Sequence, residues 1–255
     1  MEKHYNIDYL TETAKILGTV KEKSYECFKD VYNGTVIDLG CGTGNDVVNM
    51  AKLFAQNGLD LIGIDHDVAM IKKAEDSKEG LVNVKFLLGD ALNLPFTNAS
   101  VKGIRMERLV QHVADFARLF DEVYRLLEKG GVIVILESDW KSLSLYNGDS
   151  VVVDKLNRYL WSTKVNNGGA AQSLTAYLRA YRFDDVKLEV LPFILSSYQE
   201  ACTYLWLDVI LNEMLSKGLL NDKEHTLFVE TLDTADKNGF FRCSMNFVIA
   251  TARKK

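Results

Sequence analysis

The sequence has few prolines and no long apolar run. Pro95 and Pro192 are the only prolines in 255 residues, so breaks between elements are expected mostly at glycine and asparagine. No run of about twenty apolar residues, as a membrane-spanning helix needs, is present. The opening segment, MEKHYNIDYLTETAK, lacks the apolar core of a signal peptide. We therefore expect a cytoplasmic protein with no membrane partner.

Cysteine is also scarce. The four cysteines lie far apart and form no CxxC or Cys/His cluster at metal-ligand spacing: Cys27, Cys41, Cys202 and Cys243. We interpret them as reduced thiols and expect no metal site. A reactive thiol stays open only for Cys41, which lies in a glycine-rich loop, although a small apolar filler is the commoner role.

An excess of basic charge is absent as well. Thirty Lys and Arg residues against 35 Asp and Glu residues give a net charge of −5. Because nucleic-acid binding by phosphate neutralisation requires a basic surface, nucleic acid is not an expected partner. The 47% hydrophobic and 25% charged residues are ordinary for a globular protein. The length suits one large α/β domain, or a core with an inserted cap.

Strands and helices alternate through the first 140 residues, which predicts βαβ units and a parallel sheet. Strands are predicted at 36–39, 61–64, 82–88, 101–106 and 132–136, and helices at 45–56, 68–74 and 116–127. The last of these helices is predicted to end at Gly130 and Gly131. Further helices are predicted at 151–161, 173–181, 198–215 and 225–236, with strands at 186–190 and 241–251.

We expect a single domain over residues 1–255. Its core covers about 30–140 and 183–255, and helical cap elements cover about 1–29, 141–182 and 197–236. The cap helices between the last two strands are interpreted as an insertion over one edge of the active site. The apolar helix at 198–215 can pack inside the protein or against a second subunit, so monomer and homodimer both stay open.

The strongest motif is VIDLGCGTG at 36–44, a strand that runs into a glycine-rich loop and then a helix. Gly40, Gly42 and Gly44 allow positive φ and close approach of a ligand, and the helix N-terminus adds N–H donors. A dinucleotide fingerprint would need glycine or a close substitute where Asn45 stands. The loop therefore fits a nucleoside without pyrophosphate better. Asp38 is expected to bond loop amides or, through water, the ammonium of an amino-acid tail.

Two aspartates follow the next two strands. Asp65, in LIGIDHD, can accept both hydroxyls of a ribose. Asp90, in GDALNLPF, can accept an adenine amino proton while the Ala91 or Leu92 amide meets a ring nitrogen. Alone, each aspartate is more often a surface or turn residue. Together with the loop, they end successive strands where open α/β sheets bind ligands.

The set VIDLGCGTG, GIDHD, GDALNLPF and LLEKGGVIVILE, over roughly residues 30–140, resembles the class I S-adenosylmethionine methyltransferases of the small-molecule type, including ubiquinone and menaquinone methyltransferase relatives. The resemblance implies an α/β fold: a Rossmann-like, seven-stranded, mostly parallel sheet with helices on both faces and an antiparallel last strand. It also implies methyl transfer from S-adenosylmethionine to a small molecule, with S-adenosylhomocysteine as product.

The resemblance assigns parts of the cofactor to residues. The glycines would pass the methionine part, Asp65 would hold the ribose, Asp90 with Ala91 would frame the adenine, and His66 or Met70 would lie near the ribose or adenine. The predicted cofactor-binding set is Asp38, Gly40, Cys41, Gly42, Gly44, Asp65, His66, Met70, Asp90, Ala91, Leu92 and Glu107.

The fourth strand ends in RMERLVQHVAD, where many relatives carry a small or amide residue in place of Arg108. An ERxxQH sequence occurs in a subset of these enzymes. Arg108 is predicted to pair with a carboxylate of the cofactor or of an acidic substrate. A salt bridge to Glu107 or Asp115 is an equal alternative.

His112 is the candidate general base for the acceptor's proton, with helix capping or packing as the alternative. Methyl transfer is an in-line displacement that proximity and orientation can accelerate without a base. The predicted acceptor-pocket residues are Tyr5, Tyr9, Gln111, Asp139 and Trp140, with Glu137 beside them; tyrosine and tryptophan are also common in half-buried positions.

Two other functions stay open from the sequence. One is a member of the fold that keeps the cofactor pocket without methyl transfer, because fold and pocket do not fix the chemistry. The other is a nicotinamide oxidoreductase, against which Asn45 argues. The acceptor atom, whether oxygen, nitrogen, carbon or another element, is open in the same way.

Overall fold

The structure is a computed structural model that describes residues 17–78 and 80–255. Seven strands of the described chain form one sheet: β1 (Gly34–Leu39), β2 (Leu59–Asp65), β3 (Val84–Leu88), β4 (Val101–Glu107), β5 (Leu127–Leu145), β6 (Phe183–Leu195) and β7 (Cys243–Lys254). Their order across the sheet is β3–β2–β1–β4–β5–β7–β6.

The first five strands are parallel and the last is antiparallel, which confirms the predicted fold class. β1 pairs in parallel with both β2 and β4, and β7 lies antiparallel between β5 and β6. The chain leaves β1 toward β2 on one side and later returns to β4 on the other. A crevice for a ligand forms at such a reversal, outside the carboxyl ends of the strands.

Nine helices are described in this part of the chain: α1 (Gly18–Glu26), α2 (Asn45–Leu53), α3 (Val68–Ser77), α4 (Phe116–Leu126), α5 (Ser150–Tyr159), α6 (Ala170–Ala180), α7 (Tyr198–Leu205), α8 (Leu207–Ser216) and α9 (Asp222–Lys237). A π-helical turn, Leu160–Lys164, extends α5. Among the described helices, none combines the length and apolar character that crossing a bilayer would take.

Buried side chains cover both faces of the sheet. Val36 and Val134 belong to one apolar cluster, together with residues of α1, α2, α3, α5 and α7–α9. The next residues along the same strands, Ile37 and Ile135, belong to the second cluster with residues of α4 and α6. Because alternate strand residues face opposite sides, the sheet is buried on both faces, as an α/β sheet requires.

Several predicted helix boundaries differ from the structure, and two of them are explained by the backbone. Helix α4 ends at Leu126, before the predicted Gly130, because Leu127 is already extended and pairs with Val101. The predicted helix at 198–215 is two helices, since Trp206 takes the left-handed conformation (φ 54°) and its amide N–H donates to the Ala201 carbonyl as a helix end.

Candidate functional site

The glycine-rich loop at 40–44 joins β1 to α2. Gly40, Gly42 and Gly44 all have positive φ, at 78°, 52° and 79°. The Gly40 amide donates to the Ile64 carbonyl at 2.8 Å, which ties the loop to the end of β2. A Cβ on Gly44 would lie 2.5 Å from Cζ of Phe86. The sequence requires glycine here for conformation and for packing against β3.

Asp65 ends β2 and faces this loop. Its Oδ2 accepts the Gly42 N–H at 2.9 Å, and its Oδ1 accepts the Asp67 N–H at 3.0 Å. Nδ1 of His66 lies 3.3 Å from Oδ1, with the imidazole exposed. Met70 is buried in the next helix, and its amide donates to the capping Asp67 at 3.4 Å. The backbone thus fixes the Asp65 carboxylate beside Gly42.

The segment after β3 forms a tight turn. Oδ1 of the exposed Asp90 accepts the Leu92 N–H at 2.9 Å, and Asp90 forms an isolated bridge with Asn93. The following residue is held from α4, because the Leu94 N–H donates to Glu122 at 2.7 Å. Of the two amides predicted near an adenine ring, that of Leu92 is therefore already engaged, whereas Ala91 lies half-buried beside it.

Cys41 is a buried thiol inside the loop. Burial raises its pKa, and the carboxylates of Asp38 and Asp65 raise it further. The thiol therefore stays protonated at neutral pH, which argues against a reactive thiolate. Its Sγ lies 2.9 Å from where a Cβ on Gly63 would be, so it fills the space against β2.

The groups predicted to bind the cofactor lie along the side of the sheet that is formed by the carboxyl ends of its parallel strands. The Asp90 turn follows β3, Asp65 ends β2, the glycine loop follows β1, and Glu107 ends β4. Because these strands are parallel and ordered β3–β2–β1–β4, the four groups follow one another in that sequence along the edge. This order is the main geometric feature of the site.

A buried charge network lies under the loop. The wholly buried guanidinium of Arg105, in β4, donates to Asp38 and to the Ser24 hydroxyl, each at 2.9 Å. The same guanidinium lies 3.5 Å from Asp46 and also pairs with Glu107. We call the following residues the loop network: Lys21, Ser24, Tyr25, Asp38, Asp46, Arg105 and Glu107.

Helix α1 supplies the other half of the loop network. Nζ of Lys21 lies 2.7 Å from Asp46 and 2.9 Å from Glu107. The Tyr25 hydroxyl donates to Asp46, and its ring lies 5.1 Å from the Arg105 guanidinium. Three carboxylates therefore meet two cations in a buried space. Charges in such a space are tolerated only when they are paired and hydrogen-bonded.

The surroundings shift the pKa values of Asp38 and Asp46 in opposite directions. Burial raises the pKa of Asp38 to about 6, although Arg105 opposes the shift. Burial also opposes ionisation of Asp46, but Lys21 and Arg105 outweigh it and hold that pKa well below its usual range. Asp46 is therefore a permanent carboxylate, on which α1 and β4 converge.

Arg108 follows β4 in a left-handed conformation, with φ of 49°. Its amide donates to the Leu136 carbonyl at 2.7 Å, and its Nε lies 3.4 Å from Oε1 of Glu107. Of the two carboxylates considered for this arginine, Asp115 instead caps α4 by accepting the Arg118 N–H at 3.0 Å. A left-handed residue other than glycine stores strain of about 1–3 kcal/mol, and such residues occur both at helix ends and at functional sites.

Two of the predicted acceptor-pocket residues are in direct contact. Nε1 of Trp140 donates to Oε1 of the buried Gln111 at 2.6 Å. The Gln111 carbonyl accepts the Asn167 N–H at 2.9 Å, and the His112 carbonyl accepts Nδ2 of Asn166 at 2.7 Å. The turn that carries Gln111 and His112 is therefore bonded to the turn before α6.

The other pocket candidates lie apart from this pair. Asp139 accepts Nε2 of Gln172, from α6, at 3.3 Å and 3.4 Å. Because it precedes Trp140 in an extended strand, the two side chains point to opposite faces. Tyr5 and Tyr9 lie outside the described residues.

Glu137 is wholly buried beneath the turn after β4. Its Oε1 accepts the N–H groups of Val110 at 2.6 Å and Gln111 at 3.3 Å. Its Oε2 has no hydrogen-bond partner within the described chain. Burial raises the pKa of this carboxyl to about 8, against the effect of the two amides. Glu137 therefore supports the turn from below.

The sequence interpretation missed Arg105 and its partners in α1. A signal was present, because Arg105 stands inside the apolar run of a predicted strand, and a buried arginine needs a carboxylate partner. Nothing in the sequence pattern singles out Ser24 or Tyr25 as those partners, since the contact joins segments about eighty residues apart.

A profile of the methyltransferase domain family matches residues 31–176. The chain belongs to this methyltransferase family, which confirms the resemblance seen in its motifs. An uncharacterised 37.1 kDa protein of a Streptomyces fradiae transposon is 36% identical over 140 residues, which are 55% of this chain and 40% of that protein. Demethylmenaquinone methyltransferase of Lactococcus lactis is 27% identical over 128 residues, 49% of this chain and 50% of that enzyme. The chain spans about half the length of these curated relatives.

Solved structures share the fold at low sequence identity. A putative methyltransferase from Bacillus halodurans superposes with a TM-score of 0.64 at 18% identity, over 93% of this chain and 99% of that one. A geranyl diphosphate methyltransferase in complex with geranyl diphosphate and sinefungin gives 0.57 at 18% identity, over 93% and 78%. Phosphoethanolamine N-methyltransferase 2 of Haemonchus contortus, with S-adenosylmethionine, gives 0.56 at 17% identity, over 92% and 52%.

Proposed function

We propose that the protein is an S-adenosylmethionine-dependent methyltransferase that acts on a small molecule. The observation that carries this proposal is the order of groups along the sheet edge. From β3 to β4, the edge presents an adenine-type site, a ribose-type carboxylate, a glycine loop and the strained turn at Arg108. In S-adenosylmethionine the adenine, the ribose and the sulfonium follow one another in the same order, and the sulfur carries both the methyl group and the amino-acid tail. Membership of a methyltransferase family supports the assignment.

The residues of the site fit each part of this cofactor. Asp90 accepts the adenine amino group, and the Ala91 amide meets a ring nitrogen because the Leu92 amide is engaged. Asp65, oriented by Gly42, accepts the ribose hydroxyls. The methionine part passes the glycine loop, where a backbone without Cβ atoms admits close approach. His66 and Met70 flank the ribose and adenine.

The turn after β4 carries residues of the acceptor side of the proposed site. When bound, S-adenosylmethionine would supply a methyl group on a positively charged sulfur, toward which the residues of this turn would orient the acceptor. Gln111 and Trp140 line the acceptor pocket as a bonded pair, whereas the Asp139 side chain points to the other face of β5 and accepts from Gln172. Arg108 pairs with a carboxylate of the cofactor or of an acidic acceptor. Orientation by these groups supplies much of the acceleration.

His112 is the candidate base for acceptors that lose a proton as the methyl group arrives. Its backbone is fixed on both sides, since its carbonyl accepts from Asn166 and its amide donates to the Leu109 carbonyl at 2.9 Å. An imidazole is suited to this role at neutral pH. The ligands bound in two structural relatives, geranyl diphosphate and phosphomonomethylethanolamine, are small molecules of differing chemistry.

Thermal unfolding with S-adenosylmethionine, S-adenosylhomocysteine and NADH in separate samples tests the cofactor assignment. A ligand at a hundred times its dissociation constant adds about 2.7 kcal/mol to stability, so both sulfur nucleosides should raise the Tm. Asp65→Ala should lose the rise. Asp60→Ala, which removes an exposed aspartate of the same strand, should keep it. A rise with NADH alone, or with none of the three, would overturn the proposal.

Turnover distinguishes an enzyme from a protein that only binds the cofactor. Formation of S-adenosylhomocysteine would be followed with a panel of small-molecule acceptors. Product formation that needs an added acceptor is expected of the methyltransferase. Tight cofactor binding with no turnover across the panel would favour the binding-only alternative.

A further inference from the structure

The two flanks of the glycine loop share one buried partner. Asp38 precedes the loop in β1, and Asp46 follows it in the first turn of α2. Both carboxylates lie within 3.5 Å of Nη1 of Arg105, at 2.9 Å and 3.5 Å. The wholly buried guanidinium therefore fixes the spacing between the start and the end of the loop.

The same guanidinium links the loop to α1 and to the end of β4. Its Nε donates to the Ser24 hydroxyl of α1, and its Nη2 donates to Glu107, which precedes the strained Arg108. Lys21 and Tyr25 of α1 bond to Asp46 independently. Five contacts thus connect α1 with the two aspartates that flank the loop: Ser24–Arg105, Arg105–Asp38, Arg105–Asp46, Lys21–Asp46 and Tyr25–Asp46. All of these groups are buried.

We propose that Arg105 is a positioning residue for the methionine end of the cofactor, and that helix α1 sets the loop for binding through Ser24, Tyr25 and Arg105. This inference rests on the proposed function. Arg105 touches no reacting atom, since it lies beneath the loop. It acts by holding Asp38, Asp46 and Glu107, which surround the part of the edge between β1 and β4.

The loop network lies at one end of the site. Asp65 and the Asp90 turn, which receive the ribose and adenine, lie on the β2 and β3 side, where Asp65 bonds to the loop through the Gly42 N–H. A ligand that includes the amino-acid tail should depend on the network, whereas a ligand that ends at the sulfur should depend on it little. S-adenosylhomocysteine and 5′-methylthioadenosine form such a pair.

The test compares two tyrosine variants by calorimetric binding of both ligands. Tyr25→Phe deletes the hydroxyl that donates a hydrogen bond to Asp46. Tyr159→Phe deletes a hydroxyl that donates to Glu213 at 2.6 Å, between α5 and α8. Both tyrosines are buried, at 2% and 4% exposure. Tyr25→Phe should weaken S-adenosylhomocysteine about five- to tenfold and 5′-methylthioadenosine less than about twofold. Tyr159→Phe should change neither by more than about twofold.

Arg105→Lys and Ser24→Ala extend the test. Arg105→Lys keeps the charge but loses the planar fork that reaches several carboxylates at once, so it should show the same selective loss as Tyr25→Phe. Ser24→Ala removes one bond to Nε and should show a smaller loss of the same kind. Tyr25→Phe and Ser24→Ala are small deletions, so the test does not depend on whether Arg105→Lys folds.

Three outcomes of these binding measurements would contradict the positioning role. Equal weakening of both ligands would mean general damage to the fold, and no weakening would mean that the network is not connected to binding; either would overturn the positioning role. If the unaltered protein bound neither ligand, the proposed function itself would fail, and this inference with it.

Discussion

At the scale of single residues, Glu137 is a wholly buried carboxyl that bonds to the backbone of the turn after β4. Its Oε1 holds the amides of Val110 and Gln111, so the turn that carries Gln111 and His112 is fixed from the neighbouring strand. The cost of burial appears as a pKa raised to about 8. At neutral pH the folded protein therefore keeps a proton that the unfolded chain, with an ordinary glutamate, has lost.

This proton makes stability depend on pH. Between about pH 4.5 and 8 the folded state binds the proton and the unfolded state does not, so the free energy of unfolding falls as pH rises. Glu137→Gln keeps an acceptor oxygen without the charge. As pH rises from 5 to 8.5, the free energy of unfolding of the variant should therefore increase relative to that of the unaltered protein, by on the order of a few kcal/mol. Denaturant unfolding across this range measures the difference.

Glu122→Gln is the matched control for this prediction. The bond from Arg125, with help from the Leu94 amide, holds the pKa of Glu122 below its usual value against partial burial, so Glu122 is largely ionised in both states above pH 5. This variant should lose a constant amount of stability between pH 5 and 8.5. A constant offset for Glu137→Gln as well would show that its carboxyl is already ionised in the fold.

At the scale of helices and strands, the apolar pattern predicted the first five strands and the helices between them. β5 is longer than its apolar run, 132–136, because it continues beside β7 through the polar residues Glu137 and Asp139. A pattern based on apolar residues does not predict an extension through polar residues. It also joined α7 to α8, since Trp206 is apolar and only its backbone ends the helix.

The candidate site divides in the same way. The glycine loop, Asp65 and Asp90 could be predicted because local spacing puts each at the end of a strand. The loop network could not, because α1 brings Ser24 and Tyr25 to Arg105 across the sequence. A buried arginine in a predicted strand indicates that carboxylate partners exist, but tertiary packing decides which residues they are.

One helix end offers a prediction about backbone strain. Arg182 follows α6 with φ of 64° and an exposed side chain. Because a left-handed arginine is strained and glycine is not, Arg182→Gly should raise the free energy of unfolding by about 0.5–1 kcal/mol. Arg179→Gly, at an exposed position three residues earlier within α6, should lower it by up to about 1 kcal/mol. Chemical denaturation of both variants gives the comparison, and a loss in both would contradict the assignment of strain.

At the scale of the whole molecule, the proposed cofactor site lies at the carboxyl ends of β3, β2, β1 and β4, and β6 lies at the far edge of the sheet. Hydrogen exchange with and without S-adenosylhomocysteine should show this division. Exchange should slow at 40–44, at 90–92 and at 108–112, and also in α1 through the loop network, because binding suppresses local opening. The outer strand β6, at the far edge, should be unchanged. Protection centred on β6 and β7 would contradict the placement of the site.

The position of β7 has a consequence for the order in which the sheet can be completed during synthesis. β7 lies between β5 and β6, and Val132 of β5 pairs with Arg253, a residue 121 positions later. β6 is made before β7 and has no neighbour until β7 arrives. Its exposed Leu188, Val190 and Ile194 then lie on an unpaired edge, which is a template for association with other chains. A nascent chain that stalls before Cys243 would therefore depend on chaperones at this edge, even though all of the proposed cofactor residues have already been made.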